Sequence, residues 1–206
     1  APLGRKIGPD PASINAAKIG GIAANNSSGM CCGTAQNSYN TLAAIRVMLA
    51  DGTLLDTADA ASVAAFKASH GGLLDSLGGL AARVRADHAL ASRIRAKYKI
   101  KNTTGYSLNA LVDYTDPVDI LAHLMIGSEG TLGFISRVTY HTVPEYAHKA
   151  SALAFFPDME SACRAVVGLK QRPVDAVELL DRASLRCVAD KPGMPPLLKT
   201  LPDGVT

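Results

Sequence analysis

The chain has 206 residues, 48% hydrophobic and 19% charged, which allows a packed core and argues against wholesale disorder. A net charge of +3 is too mild to point to nucleic acid, and with no Trp, six Tyr and four Phe there is no aromatic platform for stacked bases. No apolar run approaches the ~18 residues of a spanning helix, so no membrane span is expected.

Residues 1–30 are poor in charge and rich in Gly, Ala, Ser and Asn. Pro9-Asp10-Pro11-Ala12-Ser13 is a turn signal. No amphipathic period follows it, so short helical turns and loops ordered by a ligand or a neighbouring domain are expected. Gly20-Gly21-Ile22-Ala23-Ala24-Asn25-Asn26-Ser27-Ser28-Gly29 reads as a loop with close-approaching backbone and Asn and Ser side chains that donate and accept. The alternative is a well-made turn bonded to itself. The chain begins without Met and without the apolar region of a secretory signal, and it stops in the turn formers Pro202-Asp203-Gly204. Both ends read as cuts, so a piece of a longer protein is expected.

Ile45–Leu49 and Thr53–Asp56 flank Asp51-Gly52, the pattern of a hairpin with a two-residue type I′ turn. Residues 60–100 read as helical, with Leu73, Leu77, Leu80 and Val84, then Leu90, Ile94 and Tyr98, at helical spacing. This arm ends in a basic run, Arg83 to Lys101, which reads as a solvated face or, more sharply, as a docking surface for an acidic partner or phosphate. Asn102-Thr103-Thr104-Gly105-Tyr106 is a polar turn. Asp116-Pro117 is an N-cap with Pro at the first helical position, opening a helix to about Met125 that buries Ile120, Leu121, Leu124 and Met125.

That helix feeds Gly127-Ser128-Glu129-Gly130-Thr131-Leu132-Gly133, which runs into a strand from Phe134 toward Val143. Three glycines in so short a loop present backbone N–H groups to an anionic or flat polar ligand. Glu129 either caps the loop or bonds a ribose hydroxyl. The two glycine-rich bends together suggest two walls of one cofactor cleft. After residue 147, Ala152–Phe156 reads as a strand, Asp158 caps a helix to about Lys170, and Val174–Leu180 reads as a second strand, a β-α-β unit.

No Rossmann fingerprint, Walker loop, nucleophile elbow or zinc-protease motif is present. Vicinal Cys31-Cys32 has the pattern of a redox pair, with free thiols in a reducing cytosol the favoured reading, and no cysteine has metal-ligand spacing. The five histidines read as surface or helix-flank residues, which leaves no catalytic residue and no metal ligand to name.

In order along the chain, Pro9–Ser13, Ile19-Gly20-Gly21, Asn25–Gly29, the Asp51-Gly52 hairpin, Asn102–Tyr106 and Ile126–Ile135 resemble the FAD-linked oxidases with a vanillyl-alcohol oxidase / p-cresol methylhydroxylase-type FAD-binding domain. Within that family the chain is similar to the D-lactate, glycolate and D-2-hydroxyglutarate dehydrogenase branch. Met30-Cys31-Cys32-Gly33-Thr34 and the basic arm look most like its large members, which carry a C-terminal iron–sulfur domain. The resemblance covers about residues 5–145, and residues 150–185 resemble the start of the family's cap domain.

The resemblance implies an α+β fold, mostly antiparallel sheet flanked by helices. Residues 1–146 would be the second FAD-binding subdomain with a helical insert at about 60–101, and 147–206 a partial cap. It implies FAD contact by Pro9, Asp10 and Ser13 near the phosphates, and by Gly21, Asn25, Asn26, Ser28 and Gly29 along the pyrophosphate and ring. Gly127, Glu129, Gly130, Gly133 and Ile135 would lie against the ribityl or ring edge. Relatives often have Ala-Gly-Gly at Ser27-Ser28-Gly29, which is where this chain departs from the pattern. For the whole enzyme it implies hydride transfer from a D-2-hydroxy acid to flavin, with the base, the substrate arginine, the first FAD subdomain and any iron–sulfur cluster outside this chain. Electrons would pass to an iron–sulfur domain or quinone, in the cytoplasm or at the inner face of the membrane. A non-oxidative alkyl transfer on the same fold, or a non-catalytic interaction module using the basic arm, are the competing readings.

Overall fold

A computed structural model describes residues 3–205. The chain divides into two compact units, one ending at Glu145 and one beginning at Tyr146. The class is α+β, and every strand pairing is antiparallel.

The first unit runs β1 (Arg5–Lys6), α1 (Ile19–Asn25), α2 (Ser38–Thr41), β2 (Leu42–Met48), β3 (Leu54–Asp56), α3 (Ala60–Ser69), α4 (Gly71–Ala86) and α5 (His88–Lys97). It continues with α6 (Ala110–Asp113), α7 (Pro117–Met125), β4 (Phe134–Tyr140) and β5 (Val143–Pro144). β2 is the centre of a three-stranded sheet between β3 and β4, and β1 pairs with β5 in a separate two-residue ladder. The expected long strand therefore breaks after Tyr140, and its tail pairs elsewhere.

Strand alternation sorts the sheet into two faces. Ile45, Val47, Leu55 and Ile135 point to one face and are buried, with Val47 directly opposite both Leu55 and Ile135. On that face α7 packs on β2, α3 on β3 and α1 on β4. Met48, Leu54 and Phe134 form an in-register exposed row on the other face.

The β2–β3 hairpin forms where expected, with a different turn. Gly52 N–H donates to the Leu49 carbonyl at 3.0 Å, Leu49 N–H to the Thr53 carbonyl at 2.9 Å, and Gly52 alone has positive φ, +84°. That is a three-residue loop closed by a left-handed glycine, because Asp51 uses its carboxylate to cap Thr53 N–H rather than turning left-handed itself.

The helical arm forms as three helices; its buried stripe matches the expected one at Val84 and Ile94, with Leu77 and Tyr98 packed on the core, and departs from it at Leu73, Leu80 and Leu90. Leu74, Ala81 and Val84 are buried while Leu73 and Leu80 are exposed, and Ala91 is buried while Leu90 is exposed. Close helix packing selects the small Ala81 and Ala91 rather than the bulkier leucines beside them. α7 starts at the Asp116 cap and ends at Met125, as expected, with Leu124 only half-buried.

The second unit holds α8 (Met159–Leu169), capped by Asp158 through Ser161 N–H, α9 (Arg182–Val188) and a 3-10 turn at Pro196–Lys199. Strands at 152–156 and 174–180 do not form. Leu153, Val174, Leu179 and Leu180 are exposed there, and a lone segment has no ladder to satisfy its backbone. The β-α-β expectation is thus met by its helix alone. No helix among the described residues is long and apolar enough to cross a membrane.

Candidate functional site

The first bend follows a helix rather than beginning as a loop. Ile19–Asn25 is helical despite Gly20 and Gly21, because burial of Ile22 and Ala23 against β4 outweighs the low helix propensity of glycine. α1 ends on Asn26, left-handed at φ +53°, whose N–H bonds the Ala23 carbonyl at 3.0 Å while Ser27 N–H bonds Ile22 at 2.9 Å. This is the six-to-one, five-to-two pattern of a Schellman end, with Asn taking the usual glycine position.

The second bend is built on the same helix end. A helix leaves its last carbonyls without partners. Here Gly127 N–H bonds Ala23 at 3.2 Å and Glu129 N–H bonds Ala24 at 2.9 Å. Asn25 Nδ2 donates to Glu129 Oε1 at 2.5 Å. The two bends, far apart in sequence, are neighbours joined by main-chain and side-chain hydrogen bonds. The expectation of bare N–H groups in the second bend is corrected: Ser128 and Thr131 also donate internally, to Met125 at 3.3 Å and Ser128 at 3.0 Å. Gly127, Glu129 and Gly130 carry φ of +89°, +52° and +77°.

Pro9 is buried and Asp10 is pressed against Gly29, where a Cβ would collide with the Asp10 carbonyl and Oδ1. That carboxylate oxygen is buried with no protein partner. Ser13 is exposed and closes a turn through its carbonyl to Ala16 and Ala17. Gly21 is exposed, and beyond its chain neighbours and the helix's own backbone no atom lies within 4 Å of where its Cβ would be. Asn25 and Glu129 hold the bends together, and Ser28 is half-buried beside Cys32. Gly133 lets the chain pass β2, since a Cβ would sit 2.8 Å from the Met48 carbonyl, and Ile135 faces the core.

Residues 98–108 form a loop bonded to both bends, of which the sequence showed only a polar turn. Tyr98 hydroxyl donates to the Tyr106 carbonyl at 2.7 Å and accepts from Leu108 N–H at 3.0 Å, stapling the loop. Lys101 Nζ donates to the Gly29 carbonyl of the first bend at 2.6 Å. Ser107 Oγ donates to Ile126 at 2.6 Å, and Tyr106 hydroxyl pairs with Thr131 Oγ1 at 2.8 Å, at the second bend. Asn26 Oδ1 accepts from Tyr39 N–H at 3.3 Å, and Tyr39 hydroxyl donates to Asp113 Oδ2 at 2.8 Å. Burial, then Asp113, pushes the Tyr39 phenol far up, so it stays a donor. No signal short of the fold could have joined Lys101 to Gly29.

His123 departs from the expected surface or helix-flank placement, whereas His70 flanks α3 and α4 as expected. His123 is buried, stacked on Tyr114 at 3.9 Å, and burial holds its imidazole below the ordinary range. His70 meets Asp51 at 2.9 Å and Ser69 Oγ at 2.8 Å. That hydroxyl also donates to the Ala65 carbonyl at 3.0 Å, so its proton serves the helix end rather than a nucleophile's activation. The four cysteines are free thiols, and among the described residues no group of three His, Cys, Asp or Glu is placed to hold a metal.

The FAD binding domain family matches residues 1–58, and the C-terminal domain of FAD linked oxidases matches residues 145–205. The chain belongs to the FAD-linked oxidases. It is 31% identical over 87 residues to a D-lactate dehydrogenase of Archaeoglobus fulgidus, covering 42% of this chain and 17% of that protein. An FAD-linked oxidase must offer its cofactor side-chain-free surface and acceptors for sugar hydroxyls. Glycine inside a helix costs about 1 kcal/mol relative to alanine, yet no protein atom demands it at Gly21. Gly21 leaves that face of α1 free of a side chain, as a flat or extended ligand would need. The unpartnered Asp10 oxygen supplies an acceptor. The residues present fit FAD.

Proposed function

We propose that the protein carrying this chain oxidises a D-2-hydroxy acid such as D-lactate, glycolate or D-2-hydroxyglutarate, and that this chain supplies part of the flavin cradle. The reading draws on the two family matches and on the D-lactate dehydrogenase relative, of which the chain spans 17%. The single observation that carries it is the junction of the two bends on the end of α1, with Gly21 bare beside them.

Bound FAD supplies the redox chemistry, accepting a hydride from the substrate Cα. The chain's own residues bind and orient. Gly21 gives clearance, Asp10 an acceptor, Asn25 and Glu129 fix the distance between the bends, the residues of Pro9–Ser13 and Asn25–Gly29 line the cofactor, and the 127–133 bend holds them in place through the Ala23 and Ala24 carbonyls. Residues 1–146 act as the second FAD subdomain and 147–206 as part of the cap. The base that takes the hydroxyl proton and the electron acceptor, an iron–sulfur domain or quinone, lie outside this chain.

The test is the full-length gene product. It is expected to purify yellow, and anaerobic D-lactate, glycolate or D-2-hydroxyglutarate should bleach the visible flavin band. A product that takes up no FAD overturns the cradle, and a flavoprotein that none of these acids bleaches overturns the substrate class.

A further inference from the structure

The first bend carries two opposite charges that the cofactor assignment by resemblance does not use as a pair. Asp10 packs so tightly on Gly29 that a Cβ at residue 29 would overlap its carbonyl and Oδ1. Oδ1 is buried and lacks a donor, and a carboxylate oxygen left so is costly unless a ligand completes it. Lys101 reaches the same residue, its Nζ donating to the Gly29 carbonyl at 2.6 Å. An ammonium has three N–H groups, so two remain for a ligand. Cys32 feels both charges: burial raises its thiol most, Asp10 raises it further and Lys101 lowers it. Lys101 is held there by the Tyr98 staple, whose loop also grips the second bend through Tyr106 and Ser107.

An unfilled acceptor beside a cation with spare donors selects a particular chemistry. A simple anion is repelled by Asp10, and a simple amine by Lys101. A hydroxyl next to a phosphate satisfies both, and a flavin dinucleotide carries that arrangement on its sugar chains. We propose that Asp10 and Lys101 clamp a hydroxyl-and-phosphate segment of FAD, Lys101 on the phosphate oxygen and Asp10 on the hydroxyl. This rests on the FAD reading above, and it adds Lys101 to the cofactor-binding residues.

The experiment titrates FAD into the apo form of the full-length gene product at low and high salt. Lys101→Gln keeps a donor for Gly29 and removes the charge, while Lys101→Arg keeps the charge. Lys101→Gln is expected to weaken FAD binding ~10-fold or more and to flatten its salt dependence. Lys101→Arg stays within about threefold of wild type. Asp10→Asn weakens binding with the salt dependence retained. FAD binding by Lys101→Gln equal to wild type, or weakened with unchanged salt dependence, overturns the clamp. A second measurement needs no variant: amine labelling of wild type, mapped at Lys101, should fall when FAD is bound, and equal labelling overturns the clamp. Wild type that binds no FAD counts against the cradle itself.

Discussion

The two bends look alike in sequence, both glycine-rich and both following a helix, and they do different work. At the second, left-handed φ values at Gly127, Glu129 and Gly130 aim backbone N–H groups at the protein, where Ala23, Ala24 and Met125 accept them. At the first, the left-handed position is taken by Asn26, and the glycines answer to space: Gly29 has no room for a Cβ and Gly21 has nothing near it. One bend is a strut. The other, with the Asp10 oxygen unfilled and Lys101 alongside, is the face with unfinished chemistry. Glycine content alone therefore does not mark a ligand site; the reason for each glycine does.

Substitutions should separate the two bends, beginning with the largest effect. Gly29→Ala forces a Cβ into Asp10 and is expected to destabilise the protein by about 3 kcal/mol or more, measured by denaturant unfolding. Native-like stability would mean that Asp10 can withdraw. Gly127→Ala meets the Gly105 carbonyl at 3.2 Å at a φ of +89°. It should cost about 1–2 kcal/mol whether or not FAD is present, since a strut supports the protein and not the ligand.

Behind the first bend, His123 should make stability depend on pH. Burial lowers its pKa below the ordinary 6.5, so in the window beneath 6.5 the unfolded chain binds more protons than the folded one. Its contribution is complete above 6.5 and is lost as pH falls through the folded value. The Tm should drop between about pH 7.5 and pH 5.5, and less so in His123→Gln. The smallest effect belongs to Ser128, whose buried hydroxyl has no partner. Ser128→Ala should leave stability unchanged or raise it by up to about 1 kcal/mol, and a clear loss would reveal a partner for that hydroxyl.

Local chemistry was legible in the sequence wherever it decides structure by itself. Asp116-Pro117 starts α7, Asp158 starts α8, and Asp51-Gly52 turns the hairpin. Packing decided the rest. α1 exists because Ile22 and Ala23 are buried, which Gly20-Gly21 conceals, and the α4 stripe follows Ala81 rather than Leu80 because small residues permit close approach. The segments at 152–156 and 174–180 have strand composition and no partner strand. For the candidate site, the order of the glycine-rich pieces was readable. The tie from Lys101 to Gly29 and the use of α1 carbonyls by the second bend are tertiary facts.

The most direct test of the account is Gly21→Ala, comparing unfolding of the apo protein with FAD affinity of the full-length gene product. Helix propensity alone should make the apo variant as stable as wild type or up to about 1 kcal/mol more so, while FAD binding weakens because a methyl group enters the cradle. An alanine variant that gains stability and binds FAD as tightly as wild type would contradict the claim that the cofactor lies across this face of α1.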